Sequence, residues 1–244
     1  MLLTGASTGI GLALAQSLAA WPTAHIVLTA RASSLDRLRE QGFTESNRIW
    51  LRPLDITVAG ERNAVVDEIR ERLGGVDILI NNAGIAYRSV MEHMSEEETL
   101  KQLSTNFTGP MELIRLVLPH MRKRGCGRII NVSSVSGMMA MPTMGAYSGS
   151  KFALEGASES LWYELKPWGI YVTLVQPGFI HSNSFHKVIL SKLAERAVND
   201  PRDPYQVVYN SMGPFIEKLM TLARATPETI ARRVLATLLK KKPR

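Results

Sequence analysis

The chain has 244 residues, of which 45% are hydrophobic and 21% charged, and this balance fits a globular domain with a full core while excluding disordered, collagen-like and pure coiled-coil chains. The single cysteine, Cys126, excludes a disulfide framework or a multi-cysteine zinc site and suits a reducing, cytoplasmic setting. The net charge of +7 reads as a solvated basic surface or as attraction to an anionic cofactor or lipid surface; with aromatics at 7% and no basic stretch interleaved with them, nucleic acid is not an expected partner.

Strand-like apolar runs alternate with helical patterns along the chain. Leu2–Thr4 is a strand stub, followed by a helix from Gly9 to Ala20 and a strand at His25–Thr29. Ile49–Leu54 is a third strand, Ala59–Leu73 a helix and Val76–Ile80 a near-continuous apolar strand. Ser95 and Glu98 have capping-box spacing and start a long helix to Lys123, with a kink expected at Gly109-Pro110. Gly127–Val132 is a strand, Tyr147–Leu165 a helix and Ile170–Val175 a strand. Pro177–Ala225 breaks the rhythm with four prolines and two amphipathic segments, Ser184–Ala197 and Tyr205–Leu222, and reads as a helical substrate lid. Thr226-Pro227 caps a last helix to Leu239, beyond which Lys240, Lys241, Lys242 and Arg244 complement the helix dipole. Strands apolar on both faces, alternating with helices, predict a single α/β domain with a doubly wound parallel sheet. No apolar run is long enough for a transmembrane span, and no signal peptide is visible.

Thr4-Gly5-Ala6-Ser7-Thr8-Gly9-Ile10-Gly11 joins the first strand to the first helix. Its glycines allow a tight turn and close backbone approach to a pyrophosphate at a helix N-terminus. An NAD enzyme usually places an acid about 20 residues on, to bind the ribose hydroxyl. Here Arg31 stands there instead, either as a partner for a 2′-phosphate or as an ordinary exposed arginine. NADP(H) is therefore expected ahead of NAD(H).

Tyr147 and Lys151 are four residues apart on one helix face. An ammonium there is expected to lower the phenol's pKa and equip it for general acid–base work. Ser133 and Ser134 end one strand and Asn81-Asn82-Ala83-Gly84 ends the strand before it, at the edge where such sheets bind ligands. The asparagines serve either as strand-end caps or as cofactor contacts. Asn106, within the long helix, is either a buried amide with a partner or solvated.

These residues together resemble the short-chain dehydrogenase/reductase family. The resemblance runs from Leu2 to Gly178 through the glycine loop, Asp55, Asn81–Gly84, Asn106, Ser134, the Tyr147/Lys151 pair and Pro177-Gly178. Ser150–Gly156 is similar to the subgroup with hydroxysteroid and retinol dehydrogenases. The resemblance implies a Rossmann fold and a homodimer or homotetramer built through the two long helices. It implies that Tyr147 is the acid/base, that Lys151 also binds the nicotinamide ribose, and that Ser134 rather than Ser133 holds the substrate oxygen. Asn106 would hold a water in a proton relay. The implied cofactor set is Gly5, Ser7, Thr8, Gly9, Ile10, Gly11, Arg31, Asp55 (at the adenine), Ile56, Asn82, Ala83, Gly84, Tyr147, Lys151, Pro177, Gly178, Ile180 and Ser182. Ser182 stands where the family often has threonine, and Thr8 where some NADP-dependent members have a basic residue. The first strand is unusually short, and the chain stops where relatives usually continue into a last edge strand, so trimmed or disordered ends are expected.

Met138, Met139, Met141 and Met144, with Phe179, Ile180, Phe185, Val188, Ile189 and Leu190, suggest an apolar pocket, or alternatively core or interface packing. The expected substrate is a hydrophobic ketone, aldehyde or secondary alcohol of steroid or retinoid size, with His181 and His186 as possible contacts. No metal-ligand spacing is present. The rival reading is a dinucleotide-binding sensor or scaffold without turnover.

Overall fold

The computed structural model describes residues 1–181 and 188–240. Ser182, Ser184, Phe185 and His186, with Lys241, Lys242 and Arg244, lie outside the described residues. The main sheet has six parallel strands: β1 (Leu2–Leu3), β2 (Ile26–Ala30), β3 (Ile49–Pro53), β4 (Ile78–Asn81), β6 (Gly127–Val132) and β7 (Ile170–Val175). They lie in the order β3-β2-β1-β4-β6-β7. The order reverses beside β1, and this is the topological switch point where α/β sheets open a crevice.

The strands read as continuous apolar runs because both faces are covered. Leu2, Val27, Trp50, Leu79 and Ile129 point to one side, against helices α3 (Ala59–Leu73), α5 (Gly109–Arg124) and α6 (Gly145–Leu165). Leu3, Leu28, Leu51, Ile80 and Ile130 point to the other, against α1 (Gly9–Ala19), α2 (Asp36–Glu40) and α9 (Pro227–Leu238). The two-residue periodicity of a strand thus fills two separate cores. β1 has only two residues, but each pairs on both sides: Leu2 with Val27 and Leu79, Leu3 with Leu28 and Ile80.

The long helix departs from expectation. Its capping box forms, with Ser95 accepting from Glu98 N and Glu98 from Ser95 N. It then runs as α4 (Glu96–Leu103), a π turn (Ser104–Thr108) and α5. At Gly109-Pro110, where a kink is expected, the Gly109 N–H donates to Ser104 O, five residues back. Pro110 has no N–H, and its ring would crowd the carbonyl one turn earlier. A widened turn removes that clash, and it places Asn106 inward.

The segment after β7 is less helical than expected. The first amphipathic stretch contains β8 (Ile189–Leu190) and α7 (Lys192–Ala197), and the second is α8 (Gln206–Leu222). β8 pairs in parallel with β5 (Tyr87–Arg88), a strand too short to read from sequence. Tyr209 of α8 is 2% exposed, and its hydroxyl meets Val90 N at 3.1 Å and His93 Nδ1 at 3.0 Å. This anchors α8 to the loop after β5. No described helix is long and apolar enough to cross a membrane.

Candidate active site

The carboxyl ends of β1 and β4 are stitched together. Thr4 Oγ1 accepts from Asn82 N and Ala83 N, and Asn82 Nδ2 donates to Thr4 O and Gly5 O, all at 3.0 Å. Asn82 is therefore the strand-end brace, and its amide shapes the glycine loop. A Cβ on Gly11 would sit 2.1 Å from Gly5 O and 2.4 Å from Asn82 Nδ2, so only glycine fits. Gly9 has φ of +56° with open space on its Cβ side. The first turn of α1 has no acidic residue, and Thr8 makes no side-chain cap. Uncapped N–H groups and the positive dipole end thus face an open cradle, which fits a dinucleotide's pyrophosphate. Ser7 and Ile10 are half-buried beside it, Ile10 against the α1 core.

Arg31 follows β2 and is exposed. Asp55 follows β3, which pairs with β2 up to Ala30 and Pro53, so both residues lie at one edge. Burial pushes the Asp55 carboxyl up, but hydrogen bonds from Thr57 and the charges of Arg31 and Lys101 outweigh it and hold the carboxyl below its ordinary value. Ile56, expected in the cofactor set, has its side chain 4% exposed in the core, and its carbonyl accepts from Arg62 at 2.6 Å.

Asn106 is buried and clamps the chain after β4. Its Oδ1 accepts from Ile85 N, and its Nδ2 donates to Ile85 O and Ser150 Oγ. Ser150 Oγ donates in turn to Tyr147 O at 2.7 Å. Gln102, missed in the sequence, donates to Ile85 O and accepts from Tyr87 N. Its only sequence signal is an amide four residues before Asn106, on the same helix face. A Cβ on Gly84 would lie 3.2 Å from Asn106 Oδ1 and 3.8 Å from Lys151 Nζ, so these three meet.

Ser134 and Tyr147 both line one cavity, and the Ser134 hydroxyl lies beside the phenol. Ser133 Oγ is instead buried near Gly137, away from this pair. The phenol is not lowered as the sequence suggested. Burial pushes Tyr147 above its ordinary value, and the neighbouring Ser134 hydroxyl opposes that only in part. Lys151 Nζ lies 5.8 Å from the Tyr147 ring and donates to Val132 O at 3.0 Å. Burial lowers the Lys151 ammonium to about 8, with Glu155 opposing.

The Lys151 shift carries a pH signature. A lysine lowered from 10.5 to about 8 binds fewer protons folded than unfolded between those values. Stability therefore rises with pH across that window, by up to about 3 kcal/mol. The expected result is a wild-type urea midpoint that climbs from pH 7.5 to 9.5 relative to that of Lys151→Met. Parallel profiles for the two proteins would contradict the burial.

A cavity of about 220 Å³ opens beside Tyr147 and Ser134. Ala86, Met141, Met144, Phe179, Ile180, Val188, Ile216 and Met220 give it apolar walls, with Val135, Ser136, Gly178 and Arg88 completing the described lining. Met141 and Met144 line it as expected, whereas Met138 and Met139 are 62% and 59% exposed outside it. Ile189 and Leu190 build β8 instead, and His181 is exposed. Pro177 O accepts from Val135 N at 2.8 Å, which fixes the Pro177–Ile180 segment over the end of β6. Ile216, Met220 and Arg88 were not foreseen, since α8 and β5 reach the cavity only through tertiary packing. Among the described residues no group of three His, Cys, Asp or Glu could hold a metal.

Comparison with known proteins gives this geometry its context. A 3-ketodihydrosphingosine reductase of Bacteroides thetaiotaomicron is 39% identical over 178 residues, covering 73% of this chain and 62% of its own length, so the match spans under two thirds of that protein. Human 17-beta-hydroxysteroid dehydrogenase type 1 is 32% identical over 100% of this chain and 75% of its own. A solved short-chain dehydrogenase from Streptomyces avermitilis superposes with a TM-score of 0.83 at 31% identity, over 99% of this chain and 85% of its own. Solved structures of this fold hold either dinucleotide. One from Burkholderia phymatum, with NAD, has a TM-score of 0.79 at 22% identity over 99% of this chain and 86% of its own. A metagenomic one, with NADP, has a TM-score of 0.71 at 25% identity over 98% and 90%. A sequence model of the short chain dehydrogenase family matches residues 1–192, the stretch that carries the glycine loop, the Asn106 clamp and the Ser134–Tyr147 pair. On that match, and on the order of its strands, this chain belongs to the short-chain dehydrogenase family.

Proposed function

We propose that the chain is an NADP(H)-dependent oxidoreductase that interconverts a hydrophobic ketone or aldehyde and its alcohol, with Tyr147 as general acid and base. The observation that carries this reading is that Ser134 and Tyr147 sit together on the polar wall of an apolar cavity, with Lys151 Nζ 5.8 Å from the Tyr147 ring. A bound reduced nicotinamide supplies the hydride for the carbonyl carbon. Tyr147 gives its proton to the carbonyl oxygen, and Ser134 donates a hydrogen bond to that oxygen. Burial keeps the phenol protonated at neutral pH, which suits the reductive direction. Lys151 lies beside Gly84, where it binds the nicotinamide ribose, and Asn106 behind it holds a water in a proton relay. The segment around α7 and α8 acts as a lid over a single catalytic domain.

Arg31 supports NADP(H), since a guanidinium rather than a carboxylate stands at the ribose edge of the cradle. Titrating the protein with NADPH and NADH, followed by nicotinamide fluorescence, should show tighter NADPH binding. Arg31→Asp should lower the NADPH-over-NADH preference by about tenfold or more. An unchanged ratio would remove Arg31 as the selector. The family's helix-mediated homodimer or homotetramer suits α6, where Phe152 and Tyr163 are 47% and 66% exposed. A cytoplasmic setting suits the exposed free thiol of Cys126.

A further inference from the structure

Arg88 is the one charged residue in the described lining of the cavity. It is held in place from two sides. Its own strand, β5, pairs with β8, and the next residue, Ser89, donates from N to Thr143 O at 2.7 Å and bridges to Met144. Thr143 has φ of +63°, a costly conformation for a β-branched residue, so this turn before Tyr147 is tightly specified. The Arg88 side chain then crosses to α8. A Cβ on Gly213 would come within 2.7 Å of a terminal guanidinium nitrogen. Gly213, Ile216 and Met220 share one face of α8, and the latter two line the cavity. The guanidinium therefore lies against the cavity face of α8. Gly213 is a poor helix former in a helix interior, and it leaves the space the guanidinium fills.

We propose that Arg88 is a specificity-determining residue, which selects hydrophobic carbonyl substrates bearing an acidic head group, a carboxylate or a phosphate. Tyr147 and Ser134 take the carbonyl end, the methionine and isoleucine walls take the hydrocarbon, and the planar guanidinium takes the anionic oxygens in paired hydrogen bonds. The inference rests on the reading of this cavity as the substrate site.

The test is a chain-length series of ω-oxo carboxylic acids, each matched with its methyl ester, under saturating NADPH. The acid should exceed its ester in kcat/KM by about tenfold or more at the best length, mainly through KM. Arg88→Met should bring that ratio towards one, and Arg88→Lys should keep part of it. Gly213→Ala should also lower the ratio, because its Cβ displaces the guanidinium while helix propensity improves; it serves if Arg88→Met fails to fold. Equal kcat/KM for acid and ester in the wild type, or a preference that survives both variants, would overturn the proposal. Where no member of the series is turned over, the carbonyl-reductase reading itself fails, and binding decides Arg88 separately. A fatty carboxylate or alkyl phosphate should then bind more tightly than the corresponding methyl ester, and Arg88→Met should abolish the difference. Stronger binding of the phosphate identifies the head group, and equal binding of all three ligands overturns the proposal.

Discussion

Tyr147→Phe is expected to lose turnover by about two to four orders of magnitude while still binding NADPH. The phenol stands beside Ser134 on the polar wall of the cavity, and its burial keeps it protonated at neutral pH. Phenylalanine fills the same space, so the fold and the glycine cradle should be untouched. Ser134 remains to polarise the carbonyl, but a hydroxyl without a tuned neighbour is a poor acid at neutral pH. The measurement is single-turnover reduction with pre-bound NADPH, beside a fluorescence titration of the cofactor. Near-normal turnover would remove Tyr147 from its role. Loss of NADPH binding in parallel would mean that the phenol holds the nucleotide rather than the proton.

The second large effect is expected at Gly11→Ala. The new Cβ would fall between Asn82 Nδ2 and Gly5 O, which are a hydrogen-bonded pair at 3.0 Å. The brace between β1 and β4 must open to admit it. Overpacking costs about 1–3 kcal/mol and a lost buried hydrogen bond about 1 kcal/mol more. The urea midpoint should fall, and NADPH affinity should drop by about a hundredfold or more, because the same loop shapes the pyrophosphate cradle. Gly149→Ala is the control, since a Cβ there meets nothing within 4 Å. A Gly11→Ala protein with wild-type midpoint and affinity would show that the Asn82 brace does not shape the cradle.

Most of the sheet was legible because its strands are apolar on both faces and their helices carry strong caps. The Ser95–Glu98 capping box and the Thr226-Pro227 start both form as their chemistry requires. The glycine loop was legible for the same reason: three glycines at a strand-to-helix junction have few other uses. Other features were not legible. β5 and β8 are two residues each and exist only because they meet. The π turn at Ser104–Thr108 needed the packed site of Asn106 as well as the missing N–H of Pro110. The Tyr147–Lys151 spacing placed both groups on one helix face but gave the wrong direction for the phenol, since a pKa depends on burial and on which oxygen the ammonium chooses.

By itself, then, the sequence determined the doubly wound architecture, the glycine-rich first βα turn and the shared helix face of Tyr147 and Lys151. These follow from local rules: side-chain periodicity, backbone freedom at glycine and proton chemistry at fixed helical spacing. Only the tertiary structure decided that Asn82 braces the loop, that Gln102 and Asn106 clamp Ile85, and that Arg88 reaches the cavity beneath Gly213. Each of those contacts joins residues distant in sequence, and their geometry is set by how whole elements pack, which no local pattern encodes.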